Sequence, residues 1–182
     1  MNIKKWFLRK RHLLLSNSRK GFGIHSPFVF DFLHNVLNET NAYYRYGDID
    51  KLDCGDKEKA QLRLYYRIIN YYHCKNILIV GQDIGFIGIF DKETSVCVQT
   101  LEAVAKDYDF SSYDFVFFAK NSFDPDYLFS KEDMIVVLSD DAVDRNYWDR
   151  LLYCNKNVYI DLFDFALFFV KKNFQQYKFC FE

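Results

Sequence analysis

From Asn76 onward the chain is punctuated by short, unbroken apolar runs: NILIVG (76–81), SVCVQ (95–99), YDFVFF (113–118), DMIVVLS (133–139), NVYIDLF (157–163) and ALFFVKK (166–172). A continuous apolar run of this length suits a strand covered on both faces. Strands alternating with short helices or loops predict an α/β sheet that is mostly parallel. Only a few residues join the last two runs, too few for a parallel crossover. They are therefore expected to pair as an antiparallel hairpin. KFCFE (178–182) adds one more candidate strand.

Upstream, the pattern is helical. Residues 3–15 predict a short basic helix carrying Trp6, Phe7, Leu13 and Leu14, followed by the linker SNSRKGFG. Ser26 is a good N-cap, and Pro27 behind it sits where a missing N–H costs nothing. Phe28, Phe32, Val36 and Val29, Leu33, Leu37 recur at helical spacing, predicting a helix over about residues 27–39. Residues 40–55 read as irregular and polar. Asp56 is the expected cap of KEKAQLRLYYRIINYY, with Leu64, Tyr65, Ile68 and Ile69 facing the core. DDAVDRNYWDRLLY (140–153) reads as a further helix. The expected organisation is a helical extension over 1–75 packed on a sheet domain over 76–182, together one structural unit.

The chain has 182 residues, half of them apolar and 27% charged, which is globular composition and enough for one domain with a core. A net charge of −1 gives no global nucleic-acid signature. No acid occurs from Met1 to Phe30, whereas Lys4, Lys5, Arg9, Lys10, Arg11, Arg19 and Lys20 are basic. Such an arm could touch nucleic acid or anionic lipid; the plainer reading is a solvated helix face plus linker. The apolar run in MNIKKWFLRKRHLLL is too short and too charged for a signal peptide or transmembrane helix. Cys54, Cys74, Cys97, Cys154 and Cys180 include no CxxC pair, so neither a disulfide framework nor a zinc site is suggested. Cys97 and Cys180 alternate with apolar neighbours and are expected to be small buried hydrophobes. A reducing cytoplasm is the expected location. The partner is a small molecule or a protein, and the oligomeric state is not legible.

Open α/β sheets bind ligands at the carboxyl ends of their strands, and three such ends carry candidate residues. The first is VGQDIGFIG, where Gly81 and Gly85, with Gln82 and Asp83 between them, can let backbone approach a cofactor. The spacing is not GxGxxG, so a simple tight turn explains it equally. The second is Gln99, closing SVCVQ, where an acid would accept both ribose hydroxyls and an amide offers one acceptor oxygen. The third is Ser139-Asp140-Asp141, whose carboxylates could hold a divalent cation or act as a base, or simply cap a helix. His25, ahead of the Ser26-Pro27 cap, is a candidate base or a loop anchor. His12, His34 and His73 show no partner pattern.

GFGIHSPFVFDFLHNVL resembles the N-terminal segment of bacterial class I S-adenosylmethionine-dependent methyltransferases of the kind found in Bacteroidetes. The similarity continues through KEKAQLRLYYRIINYY, NILIVGQDIG, YDFVFF, MIVVLSDD and NVYIDLFDFALFFVKKNF, so it spans most of the chain. It implies a Rossmann-like methyltransferase sheet with a C-terminal antiparallel hairpin and S-adenosylmethionine as the cofactor, if there is one. It also implies cofactor contacts at Gly81, Gln82, Asp83, Gly85 and Gln99, and catalytic roles for Asp140 and Asp141, with no metal assigned. The departures concentrate on charged positions. The family's acid two residues before the first glycine is Ile79 here, the acid closing the second strand is Gln99, and the Asp closing the fourth strand is Ala119.

Chain length adds a constraint. Three crossovers with two intervening strands need roughly 50 residues, at about 10–12 per crossover. Only 31 residues separate Gln82 from Ser112 inclusive, room for one intervening strand. One strand of the family core is thus expected to be missing on the cofactor side. The implied function is a methyltransferase-like protein with a degenerate cofactor site, a pseudoenzyme; the alternative is a non-catalytic Rossmann-like interaction protein.

Overall fold

A computed structural model describes residues 3–81, 89–90, 95–105, 108–119, 133–139, 157–171 and 177–181. Four α-helices come first: α1 (Ile3–Leu15), α2 (Pro27–Phe32), α3 (Tyr46–Asp50) and α4 (Asp56–Tyr71). Seven strands follow: β1 (Asn76–Val80), β2 (Cys97–Leu101), β3 (Phe115–Phe118), β4 (Met134–Ser139), β5 (Asn157–Asp161), β6 (Phe165–Val170) and β7 (Tyr177–Cys180). They form one sheet in the order β2-β1-β3-β4-β6-β5-β7.

All strands point the same way except β6, which runs antiparallel to both β4 and β5. The mostly parallel sheet and the C-terminal hairpin are therefore as expected. Among the described residues a single strand, β2, lies between β1 and β3 in the chain. It occupies the sheet edge, and the count of seven is reached at the opposite edge, where β7 adds itself parallel to β5.

The helices form for local reasons. Ser26 Oγ accepts the Val29 N–H at 3.4 Å and Pro27 opens α2. The expected single helix over 27–39 instead changes pitch at Leu33 and closes as a π-helical turn over Leu33–Leu37. The Val36 carbonyl in that turn accepts Arg67 Nε at 2.7 Å, tying it to α4. Residues 40–55 are not wholly irregular, because α3 forms within them around the buried Ile49. Gly55, not Asp56, is the N-cap of α4; Asp56 is the first helical residue, where its charge favours the helix dipole.

At its C-terminus α4 ends with His73 in the left-handed region (φ 55°), the Cys74 N–H bonding to the Ile69 carbonyl at 3.0 Å and the His73 N–H to Asn70 at 3.2 Å. This is a Schellman cap. The Asp114 carboxylate then takes the N–H groups of Lys75 and Asn76 at 2.9 and 3.0 Å and launches β1.

Two cores flank the sheet. On one face Ile77, Ile79, Phe117, Leu167 and Phe169 pack under α2, the π-helical turn and α4. On the other, Leu78, Val80, Val116, Phe118 and Phe168 pack with Phe110 and Tyr113. The helix expected over 140–153 lies outside the described residues.

The cysteines split by position. Cys97 was expected to be buried, yet it is exposed, because β2 is an edge strand with little covering it. Cys180 is half-buried, Cys74 is buried and Cys154 lies outside the described residues. Burial, and then the Asp114 carboxylate, push the Cys74 thiol from its ordinary 9.0 up to about 12. In intact protein at pH 8, alkylation is expected to label Cys97 fast and Cys74 only on unfolding, read by mass spectrometry. The linked stability is complete below pH 9 and is lost as pH rises toward about 12, because the unfolded thiol ionises first. The urea midpoint should therefore decline across that alkaline window.

Candidate functional site

The carboxyl edge of the sheet gathers the ends of β1 to β5 and of β7. Gly81 follows β1 with φ 96°, a conformation that glycine adopts without the Cβ penalty, and its N–H extends the ladder to the Leu101 carbonyl at 2.8 Å. At the end of β4, Ser139 Oγ donates to the Ala119 carbonyl at 2.6 Å and ties β4 to the end of β3. Ile79 is fully buried and Ala119 half-buried, both against the helix-side core. Phe90, further along the chain from Gly81, is fully buried and stacks on Tyr66 with ring centroids 5.6 Å apart.

Gln99 is not where the apolar run placed it. Register with β1 (Leu78 opposite Gln99, Val80 opposite Leu101) carries β2 two residues beyond SVCVQ, so Gln99 is mid-strand. Its amide oxygen accepts the Tyr113 hydroxyl at 2.5 Å, and the Tyr108 hydroxyl lies 2.9 Å from that of Tyr113. Burial, and then the bond to Tyr113, push Tyr108 up to about 12. Gln99 itself is exposed, so the Tyr108–Tyr113–Gln99 chain runs along the edge strand without covering it.

The exposed Glu102 follows directly after β2, level with Gly81 in the same register. Sequence reading missed it because the apolar run ends at Gln99. The usable signal was the acid three residues on. Gln82, Asp83, Gly85, Asp140 and Asp141 lie outside the described residues. His25 is exposed on the segment leading into α2, beside a hollow also lined by Asp31, His34 and Asn35.

A second constellation occupies the same edge at its β5–β7 end. A cavity of about 300 Å³ lies between α1, α4 and the β5–β6 turn, lined among others by Arg9, His12, Arg19, Lys57, Arg67 and Phe163. His12 is buried, with Nε2 2.9 Å from the Phe181 carbonyl and Nδ1 3.5 Å from Asp161 Oδ2. Asp161, also buried, closes β5, and its other oxygen accepts the Phe163 N–H at 2.8 Å. Phe163 holds φ 67°, which is uncommon for a bulky residue, and sits between the His12 ring and the Arg9 guanidinium. Lys57 pairs with Asp164 at 2.5 Å across the turn. Asn17 bonds Cys180 twice, accepting its N–H at 3.1 Å and donating to its carbonyl at 2.6 Å.

The sheet, mostly parallel with one reversed strand in its C-terminal hairpin, defines a protein of the open-sheet α/β class. No protein-family model matches the chain, and neither does any curated relative. Among solved structures, it is similar to a Staphylococcus aureus protein provisionally described as a caffeoyl-CoA O-methyltransferase. That likeness covers 94% of this chain and 100% of the other, at 14% identity and a TM-score of 0.43. It is too shallow to carry a substrate or a mechanism. Among the described residues, no helix is long and apolar enough to cross a membrane.

Proposed function

We propose that this chain is a methyltransferase-like protein whose cofactor end is degenerate, and that it binds a small molecule or a protein rather than transferring methyl groups. The observation that supports this reading best is the state of Gln99. It brings no charge, it sits mid-strand, and its amide oxygen already accepts the Tyr113 hydroxyl in the strand whose end the resemblance gives an acid for the ribose. Ile79 and Ala119, at two further positions where the resemblance implies acids, pack against the apolar core. Each lost charge-assisted hydrogen bond weakens binding by about 1.5–3 kcal/mol, so three together lower affinity by several powers of ten. The exposed Trp6, Phe7, Leu14 and Leu15 on the basic α1 supply apolar surface for a partner.

A second reading, an active methyltransferase with a divergent site, is favoured by Glu102. Its carboxylate follows β2 beside Gly81 and could take the ribose hydroxyls in place of Gln99. Asp140 and Asp141 would then orient the methyl acceptor. Calorimetry with S-adenosylmethionine and S-adenosylhomocysteine separates the two. The degenerate reading expects no saturable heat at ligand concentrations up to about 0.5 mM, since three such losses move a micromolar site beyond that range. Saturable binding that Glu102→Ala abolishes would replace it with the second reading.

A further inference from the structure

We propose that His12, Asp161 and Cys180 form a transition-metal site of the zinc class, closed between α1 and the carboxyl ends of β5 and β7. A His12 ring nitrogen, an Asp161 oxygen and Cys180 Sγ lie within 4.8 Å of one another, with His12 and Asp161 buried and Cys180 half-buried. Imidazole, carboxylate and thiolate together are a donor set that zinc takes, three protein ligands leaving a fourth position for water or a ligand.

The hydrogen bonds around the three residues aim the donors inward. The Phe181 carbonyl can only accept, so Nε2 of His12 carries the proton and Nδ1 is the nitrogen turned toward Asp161. A ligating histidine typically donates its second ring N–H to such a carbonyl. The Phe163 N–H holds one Asp161 oxygen, and the other lies 3.5 Å from His12 Nδ1. Asn17 anchors the backbone on both sides of Cys180.

The spacing also fits. Nδ1 and Oδ2 are 3.5 Å apart, beyond the N–H···O range of about 2.7–3.2 Å. Two donors across a tetrahedral ion with bonds of about 2.0–2.2 Å sit roughly 3.3–3.6 Å apart. Phe163, next but one to Asp161, holds a left-handed backbone in the turn that presents this carboxylate; such outliers cluster at ligand sites. His12 also lines the 300 Å³ cavity, so the site borders a space of small-molecule size. The three residues come from distant parts of the chain, so no spacing motif announces them.

Chelator-treated full-length protein titrated with cobalt(II) provides the test. A thiolate-to-cobalt charge-transfer band should rise to a 1:1 end point and be displaced by zinc. It should persist in Cys97→Ser, vanish in Cys180→Ser, and require at least about tenfold more metal in Asp161→Asn. Folding of each variant is checked by circular dichroism. On the unmodified protein, zinc should protect Cys180 but not Cys97 from alkylation, a readout that needs no variant to fold. No band and no protection at stoichiometric metal, or a band that survives Cys180→Ser, would overturn the site and leave a plain His12–Asp161 ion pair.

Discussion

Phe169→Ala is expected to lower the free energy of unfolding by about 3–5 kcal/mol. Phe169 is 1% exposed, in the reversed strand β6, an interior strand between β4 and β5. Its ring meets Phe28 at 4.9 Å and both Phe32 and Tyr72 at 5.4 Å, so it joins the sheet to α2 and to the end of α4. Truncation removes the transfer energy of the ring and leaves a cavity walled by aromatic side chains from separate elements, which cannot collapse together. Domains of this size are stable by about 5–15 kcal/mol, so the loss is a large share of the total. Urea unfolding should show a lower midpoint at unchanged slope. Phe169→Leu, which keeps most of the volume, should lose clearly less. A change below about 1 kcal/mol would mean that the helices do not lean on this face.

Asp161→Ala is expected to have a comparable effect, about 3–5 kcal/mol, because one carboxylate serves two buried partners. One oxygen satisfies the Phe163 N–H and the other faces His12. Alanine abandons both, and α1 loses the group that its buried histidine faces. Asp161→Asn keeps an acceptor for Phe163 and should retain part of the stability. Hydrogen exchange provides a second measure, with α1 amides losing protection in Asp161→Ala while those of β1 and β3 keep theirs.

The strands were legible because a strand covered on both faces has no polar alternation. Six apolar runs and KFCFE all became strands, and the hairpin followed from connection length alone. Boundaries were less legible. Propensity ended β2 at Gln99, but pairing with β1 continues it to Leu101. That shift moved Gln99 off the strand end and put Glu102 level with Gly81. Cys97 shows the same limit from another side. Its pattern suits a buried strand, but an edge position leaves it exposed, and edge or centre is a property of the sheet rather than of the run.

By itself the sequence determined a mostly parallel α/β sheet, its C-terminal hairpin, and the helices α1, α2 and α4 before it. These depend on residues close in the chain, where hydrophobic period, capping and steric rules act. The tertiary structure decided the strand order, the burial of Phe90 against Tyr66 and the meeting of His12 with Asp161 and Cys180. That last contact spans more than 140 residues and forms only when α1 folds back over the end of the sheet. Local rules cannot specify it, because the positions are brought together by closing a long loop around a shared core.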